Sequence, residues 1–244
     1  MDGELLTVDQ DSHPMKRTLV ALTGAGISAE SGLATFRDTD GLWEGHRVED
    51  VATVEGWTKN PAKVLEFYNE RRKKALEARP NRGHQILAEL EQDFDVTVIT
   101  QNVDNLHERA GSSRVMHLHG SLFESRSTVH EELIYPINGW ALNLGDRCEK
   151  GFQLRPNIVW FGERVPLIGY ASEVAAKADI FLIIGTSMLV YPAAGLIHDV
   201  AANTPKYIVD PRVPDVARLP NLHFIAEKAS TGMEQVRKLL TKGG

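Results

Sequence analysis

Apolar runs separated by helical segments constrain this chain more than any other feature of it. Leu19–Thr23, Asp95–Thr100, Val115–His119, "NIVWF" (157–161), Asp179–Ile184 and Lys206–Val209 are largely continuous runs, without strict polar alternation. Strands read this way when both of their faces are covered. The stretches between them carry helix punctuation. Asn60 and Pro61 open "NPAKVLEFYNERRKKALEA", and Gly111 closes "VDNLHERA". "GHQILAELEQ", "YASEVAAKA", "PAAGLIHDVAA" and "GMEQVRKLL" also read as helices. Strand–helix alternation predicts an α/β fold with a Rossmann-like doubly wound parallel sheet. Two segments, 33–78 and 122–156, break the alternation and are read as insertions that form a smaller lobe. The large lobe then takes residues 16–32, 79–121 and 157–244 of a single catalytic domain spanning 1–244.

The strand ends carry the chemistry. Thr23-Gly24, Gln101-Asn102, His119-Gly120, Gly185-Thr186-Ser187 and Asp210 all follow apolar runs. In an open parallel sheet, ligands bind at the carboxyl ends of the strands. Gly24, Ala25 and Gly26 let backbone approach a pyrophosphate at a helix start; the plainer reading is a tight strand-to-helix turn. The glycine spacing is not that of the usual dinucleotide fingerprint, since Ala29 and Gly32 follow. "TFRD" comes next, where Phe36 could cover a ring or reactive carbon and Arg37 could pair with phosphate. Gln101, Asn102 and Asp104 offer amide and carboxylate groups to hydroxyls, a carboxamide or water, or else a helix N-cap. His117 and His119 share one strand face. His119, at the strand end, is the candidate base; His117, deeper in, reads as structural.

Charge and composition exclude other classes. A net charge of -6 argues against a nucleic-acid surface. Cys148 is the only cysteine, so there is no disulfide framework and no cysteine-rich metal site. The opening "MDGELLTVDQDSHPMKR" resembles neither a signal nor a transit peptide, and no apolar run reaches the roughly 18 residues of a membrane helix. The expectation is a cytoplasmic monomer with no membrane or nucleic-acid partner.

"GAGISAESGLATFRD", "TQNVDNLHERAG", "HLHG", "RPNIVWFGE" and "GTSMLVYPAAGL" occur in this order across almost the whole chain and resemble the sirtuin family of NAD-dependent protein deacylases. The resemblance implies NAD as cofactor and acyl-lysine peptides, bound as an added strand, as substrates. It implies that His119 is the base acting on a ribose hydroxyl, and that Asn102 and Asp104 hold ribose, water and the nicotinamide carboxamide. Gly24, Ala25, Gly26, Thr35, Phe36, Arg37, Gln101, Gly185, Thr186 and Ser187 match cofactor contacts. Val159, Trp160, Phe161 and Gly162 match the peptide-binding segment. The products implied are nicotinamide and an O-acyl-ADP-ribose. Asp210 stands where the family commonly has asparagine, and Ala229 matches an adenine-side loop.

Tyr68 and Arg71 are three residues apart on a predicted helix and share a face. A hydroxyl beside a guanidinium suits a carboxylate; the plain alternative is a packed tyrosine with a solvated arginine. Class III sirtuins, including the bacterial cobalamin-region type, carry Tyr-x-x-Arg here together with a small alanine, matched by Ala52. This implies removal of succinyl and malonyl groups, with acetyl also accepted. Most sirtuins hold a structural zinc on two cysteine pairs. Here Ser127 and His130 occupy the first pair's place and Cys148 and Gly151 the second's, so zinc is not expected and no metal site is assigned. Leu133, Ile134, Tyr135, Ile137, Trp140, Leu142 and Leu144 are then expected to pack the small lobe. Two alternatives remain: NAD glycohydrolysis or ADP-ribosyl transfer, and a non-catalytic NAD-sensing module.

Overall fold

A computed structural model of the chain describes residues 16–35, 42–212 and 219–241. In chain order its strands are β1 (Thr18–Thr23), β2 (Leu42–Trp43), β3 (His46–Arg47), β4 (Asp95–Thr100), β5 (Val115–His117), β6 (Gly120–Ser127), β7 (Ile134–Pro136), β8 (Leu154–Ile158), β9 (Ile180–Ile184), β10 (Lys206–Val209) and β11 (Leu222–Ile225). The α-helices are α1 (Ala25–Ala29), α2 (Val48–Val51), α3 (Val54–Lys59), α4 (Pro61–Glu77), α5 (Arg82–Glu89), α6 (Leu106–Ala110), α7 (Ile168–Ala176) and α8 (Ala229–Thr241).

Six strands form a parallel sheet in the order β11-β10-β9-β1-β4-β5. Successive residues of each strand feed opposite faces. Leu19 and Ala21 join Ile86, Leu87, Met233 and Val236 from α5 and α8. Val20 and Leu22 join Ala171, Ala175, Leu196 and Ile197 on the other side. Two cores on one sheet account for the unbroken apolar runs. Each fully buried Val, Leu or Ile contributes roughly 1.5–3 kcal/mol of burial free energy. From β1 the chain moves outward through β4 and β5, then returns to the other side of β1 for β9, β10 and β11. The order therefore reverses between β1 and β9, which opens a crevice at the carboxyl ends of those strands.

Several expectations need correction. The run at 157–161 does not join the parallel sheet. Its first residues end β8, which pairs with β6 in an antiparallel sheet of order β7-β6-β8. Strand geometry stops at Ile158. "PAAGLIHDVAA" forms only a 3-10 stretch, Ala193–His198. Sequence reading missed β11, an edge strand with two exposed positions that leave it no continuous apolar run. It also missed the short β2–β3 hairpin, α2 and α3.

The expected small-lobe packing holds only in part, with Leu133, Tyr135 and Ile137 half-buried. Leu142 is buried, but Ile134, Trp140 and Leu144 are 48%, 44% and 55% exposed. Polar groups hold this region instead. Arg72 on α4 is fully buried; it donates from Nε to the Leu122 carbonyl, and from Nη1 to the Trp140 carbonyl at 2.6 Å and Asn69 Oδ1 at 2.8 Å. Asn69 also donates to the Leu142 carbonyl at 3.0 Å and accepts from the Leu142 N–H at 3.0 Å. Glu163 accepts from Arg126 at 3.1 Å and from Arg155 at 2.8 and 3.0 Å. Where the resemblance places zinc in relatives, Ser127 Oγ accepts from the Val129 and His130 N–H groups and lies 3.5 Å from the buried Cys148 Sγ. Among the described residues no group of three or more His, Cys, Asp or Glu has the arrangement of a metal site. No helix among them is long and apolar enough to cross a membrane.

Candidate active site

A cavity of about 540 Å³ occupies the crevice and runs on between the parallel sheet and α4. Its wall collects Gly24, Ala25, Gly26, Thr35, Gln101, Asn102, Asp104, His119, Gly185, Thr186, Ser187, Asp210 and Ala229. The acyl-end candidates Ala52, Tyr68, Arg71, Val159, Trp160, Phe161 and Gly162 line it as well. Phe36 and Arg37 lie outside the described residues.

The glycines of the first loop have a tighter task than expected. A Cβ on Gly24 would sit 2.8 Å from Thr186 Cβ, and one on Gly26 would sit 2.6 Å from Gly185 Cα. Gly185 has φ +62°, and its own Cβ would lie 2.3 Å from the Ile27 N. These glycines let the β1 and β9 loops touch, with Gly26 N–H donating to the Gly185 carbonyl at 2.8 Å. Close loop packing by itself demands them. Gln101 Nε2 extends the joint by donating to Thr186 Oγ1 at 3.0 Å.

His119 follows β5 and enters the cavity wall. Its Nδ1 lies 3.0 Å from the Gln101 carbonyl, which can only accept, so Nδ1 carries a proton. In the neutral ring Nε2 then keeps a lone pair, the form a general base needs. Burial lowers its pKa, outweighing the opposing effect of the Gln101 carbonyl. His117 is a different case. Its Nδ1 meets the Asn102 carbonyl at 2.9 Å and its Nε2 meets Glu108 Oε1 at 2.7 Å. Burial disfavours its charge, but the Glu108 carboxylate and the Asn102 carbonyl override that and raise its pKa. A doubly held imidazolium is a structural group.

Asn102 and Asp104 are buried at the β4 end. Asn102 Nδ2 donates to the Gly24 carbonyl at 3.1 Å and to Ser28 Oγ at 3.3 Å. Asp104 accepts from the Leu106 N–H at 3.0 Å and from Ser28 Oγ at 3.1 Å. Burial raises its pKa against those two hydrogen bonds. Sequence reading missed what lies behind it. The Asn81 N–H reaches His84 Nδ1 at 3.3 Å, so His84 Nε2 carries the proton and faces Ser28 Oγ at 3.4 Å. Burial pushes the His84 pKa down to about 4, keeping it neutral. A directed chain therefore runs from the α5 capping box through His84 and Ser28 to Asp104 and fixes the carboxylate. His84 follows "NRG" in an ordinary capping position, and nothing in its neighbourhood marks it as part of a site.

At the far end Tyr68 is fully buried, and its hydroxyl accepts from Trp160 Nε1 at 3.0 Å. Burial pushes its pKa up to about 12, so it keeps a proton to donate. Arg71 packs its guanidinium 4.2 Å from the Trp43 ring centre, and its Nε is buried without a hydrogen-bond partner among the described residues. Ala52 is 2% exposed at the end of α2, and its carbonyl accepts from the Phe161 N–H at 3.0 Å. The Val159 N–H is likewise taken by the His119 carbonyl at 2.9 Å. Val159–Gly162 is thus an irregular turn tied to the backbone carbonyls of both His119 and Ala52.

The Sir2 family pattern matches residues 24–192, well over half of the chain. This chain belongs to the Sir2 family. Among its relatives, an NAD-dependent protein deacylase of Bacteroides thetaiotaomicron is 53% identical over 229 residues, covering 92% of this chain and 98% of the relative. One from Helicobacter pylori is 50% identical over 222 residues, covering 90% of this chain and 96% of the relative. A Sir2 homologue solved with NAD superposes with a TM-score of 0.84 at 38% identity, over 93% of this chain and 91% of that one. A Sir2 protein solved with a p53 peptide and NAD gives 0.76 at 29% identity, over 93% and 95% of the two chains. The Sir2 fold and its small antiparallel sheet thus agree with the topology described above.

Proposed function

We propose that this Sir2-family chain is an NAD-dependent protein lysine deacylase that removes succinyl and malonyl groups and also accepts acetyl. The deacylase names of its relatives and the NAD and peptide complexes of its structural neighbours support the reaction class. One observation carries the acyl preference. The Arg71 guanidinium and the protonated Tyr68 line the same cavity as His119.

A dinucleotide fits the donor set. The cavity is within the roughly 300–1,000 Å³ range of cofactor sites, and backbone-rich loops at Gly24–Gly26 and Gly185–Ser187 meet Asp210 and the first residue of α8, Ala229. These residues, with Thr35, Gln101, Asn102 and Asp104, would hold NAD, and Phe36 and Arg37 remain candidates on the resemblance alone. NAD supplies the ribose carbon that the acyl oxygen attacks and carries the acyl group away, with release of nicotinamide. His119 takes a proton from a ribose hydroxyl through Nε2 while Gln101 holds its other nitrogen. Asn102 and Asp104, fixed by Ser28, orient the polar groups at the reacting end. The peptide would lie as an added strand beside Val159–Gly162, where the Val159 and Phe161 N–H groups are already engaged, so the segment offers carbonyls.

Replacing Arg71 by methionine keeps the bulk and removes the charge. A hydrogen bond to a charged group is worth about 1.5–3 kcal/mol, so succinyl-peptide kcat/KM should fall about ten- to a hundredfold. Acetyl-peptide turnover should change little in the same assay. An equal loss on both substrates would discard the clamp.

The pH dependence follows from His119. Its neutral form is active, and burial places its pKa below the ordinary 6.5. The acid limb of kcat/KM should therefore lie below pH 6.5, with a plateau across neutral pH. A limb centred above 7 in a pH–rate profile would contradict that environment.

A further inference from the structure

We infer that Glu44 and Lys74 set the charge of the acyl end of the cavity and so determine how strongly an acidic acyl group is preferred. The inference rests on the carboxylate-clamp reading of Tyr68 and Arg71 and adds residues that neither motif nor resemblance assigned. Glu44 sits at the tip of the β2–β3 hairpin. With Gly45 it fills a two-residue turn in which both φ angles are positive, +50° and +81°. Such turns favour Asn, Asp or Gly at these places. A glutamate tolerated there, with its side chain only 11% exposed, is explained by what its carboxylate meets.

Glu44 Oε1 accepts from Arg71 Nη1 at 3.2 Å, and Glu44 Oε2 accepts from Lys74 Nζ. Arg71 and Lys74 are three residues apart on α4, so one carboxylate bridges both. Two physical consequences follow. Glu44 grips the guanidinium at Nη1, while Arg71 still lines the cavity. Lys74, 53% exposed, supplies the second positive charge. Arg71, Lys74 and Glu44 together leave one net positive charge, enough to receive one acyl carboxylate. Without Lys74, Glu44 would neutralise Arg71, and the incoming carboxylate would meet a balanced pair. Without the charge on Glu44, the same end would carry two positive charges. A glutamine at 44 still offers an acceptor to Arg71 Nη1, so that change alters charge while keeping the grip.

The test is steady-state kinetics on the full chain at saturating NAD, with one peptide carrying either succinyl- or acetyl-lysine. The readout is the ratio of the succinyl KM to the acetyl KM, because only the succinyl group carries a carboxylate. Lys74→Gln should raise that ratio about three- to tenfold, Glu44→Gln should lower it by a similar factor, and the double variant should return it close to the starting value. The effects should appear in KM, not kcat, and should shrink in high salt. If the unaltered protein favours succinyl and Arg71→Met abolishes that, yet neither charge variant moves the ratio beyond about twofold, this inference fails and the clamp stands. If the unaltered protein shows no succinyl preference, clamp and inference fail together. Lys74 is half exposed on the helix surface, so its variant should fold, and parallel changes in both KM values would also refute the charge assignment.

Discussion

His119→Ala should reduce turnover of an acyl-lysine peptide by roughly 10²–10⁴-fold, the usual contribution of a positioned general base. Affinity for NAD should stay within a few-fold, because no other group changes and the Gln101 carbonyl can turn to water. The size of the effect follows from the geometry. His119 has one nitrogen fixed by a carbonyl 3.0 Å away and burial that keeps the ring neutral. His117, two residues earlier at the end of β5, is spent on Glu108 and Asn102 and cannot take over. Single-turnover product analysis and a cofactor-binding titration on the same variant check both halves. Turnover that survives the substitution would remove the base from the mechanism.

Arg72→Ala should cost roughly 3–5 kcal/mol of folding stability, since each orphaned buried acceptor costs about 1–3 kcal/mol. Two carbonyls, of Leu122 and Trp140, lose their donor at once, and Asn69 Oδ1 is left with the Leu142 N–H alone. Asn69 in turn clasps Leu142, so the loss spreads into the segment before β8. Burial lowers the Arg72 pKa only to about 10, so the group is charged at neutral pH and depends on those carbonyls. Thermal unfolding should show a fall of roughly 10 °C or more. A change of only about 2 °C would mean that the apolar contacts of α4 hold this region and the guanidinium does not.

The parallel sheet was legible because its strands are buried on both faces, and double burial writes unbroken apolar runs into the chain. The strand ends were legible for the same reason: a polar residue after such a run marks where the sheet stops and a crevice can begin. Helical spacing put Tyr68 and Arg71 on one face, and the resemblance to class III sirtuins made them a candidate clamp. The rest failed where the stabilising contacts are distant in sequence and polar. Arg71 and Arg72 are adjacent and look alike as letters, yet one lines the cavity and the other is sealed against Leu122, 50 residues away. Trp140 and Leu144 read as core in the sequence but are exposed, because nothing in the sequence reveals that carbonyls, and not side chains, are what Arg72 seeks. Glu44 was invisible because a hairpin of two-residue strands has no periodicity to read.

The central claim is an NAD-dependent deacylase tuned for acidic acyl groups. The most direct measurement is kcat/KM, by mass spectrometry, on one peptide carrying acetyl-, succinyl- or malonyl-lysine, with and without NAD. The account predicts NAD-dependent loss of succinyl and malonyl about ten- to a hundredfold more efficient than loss of acetyl. Acetyl removed as well as or better than succinyl would contradict the role given to Tyr68 and Arg71, and loss of any group without NAD would contradict the reaction itself.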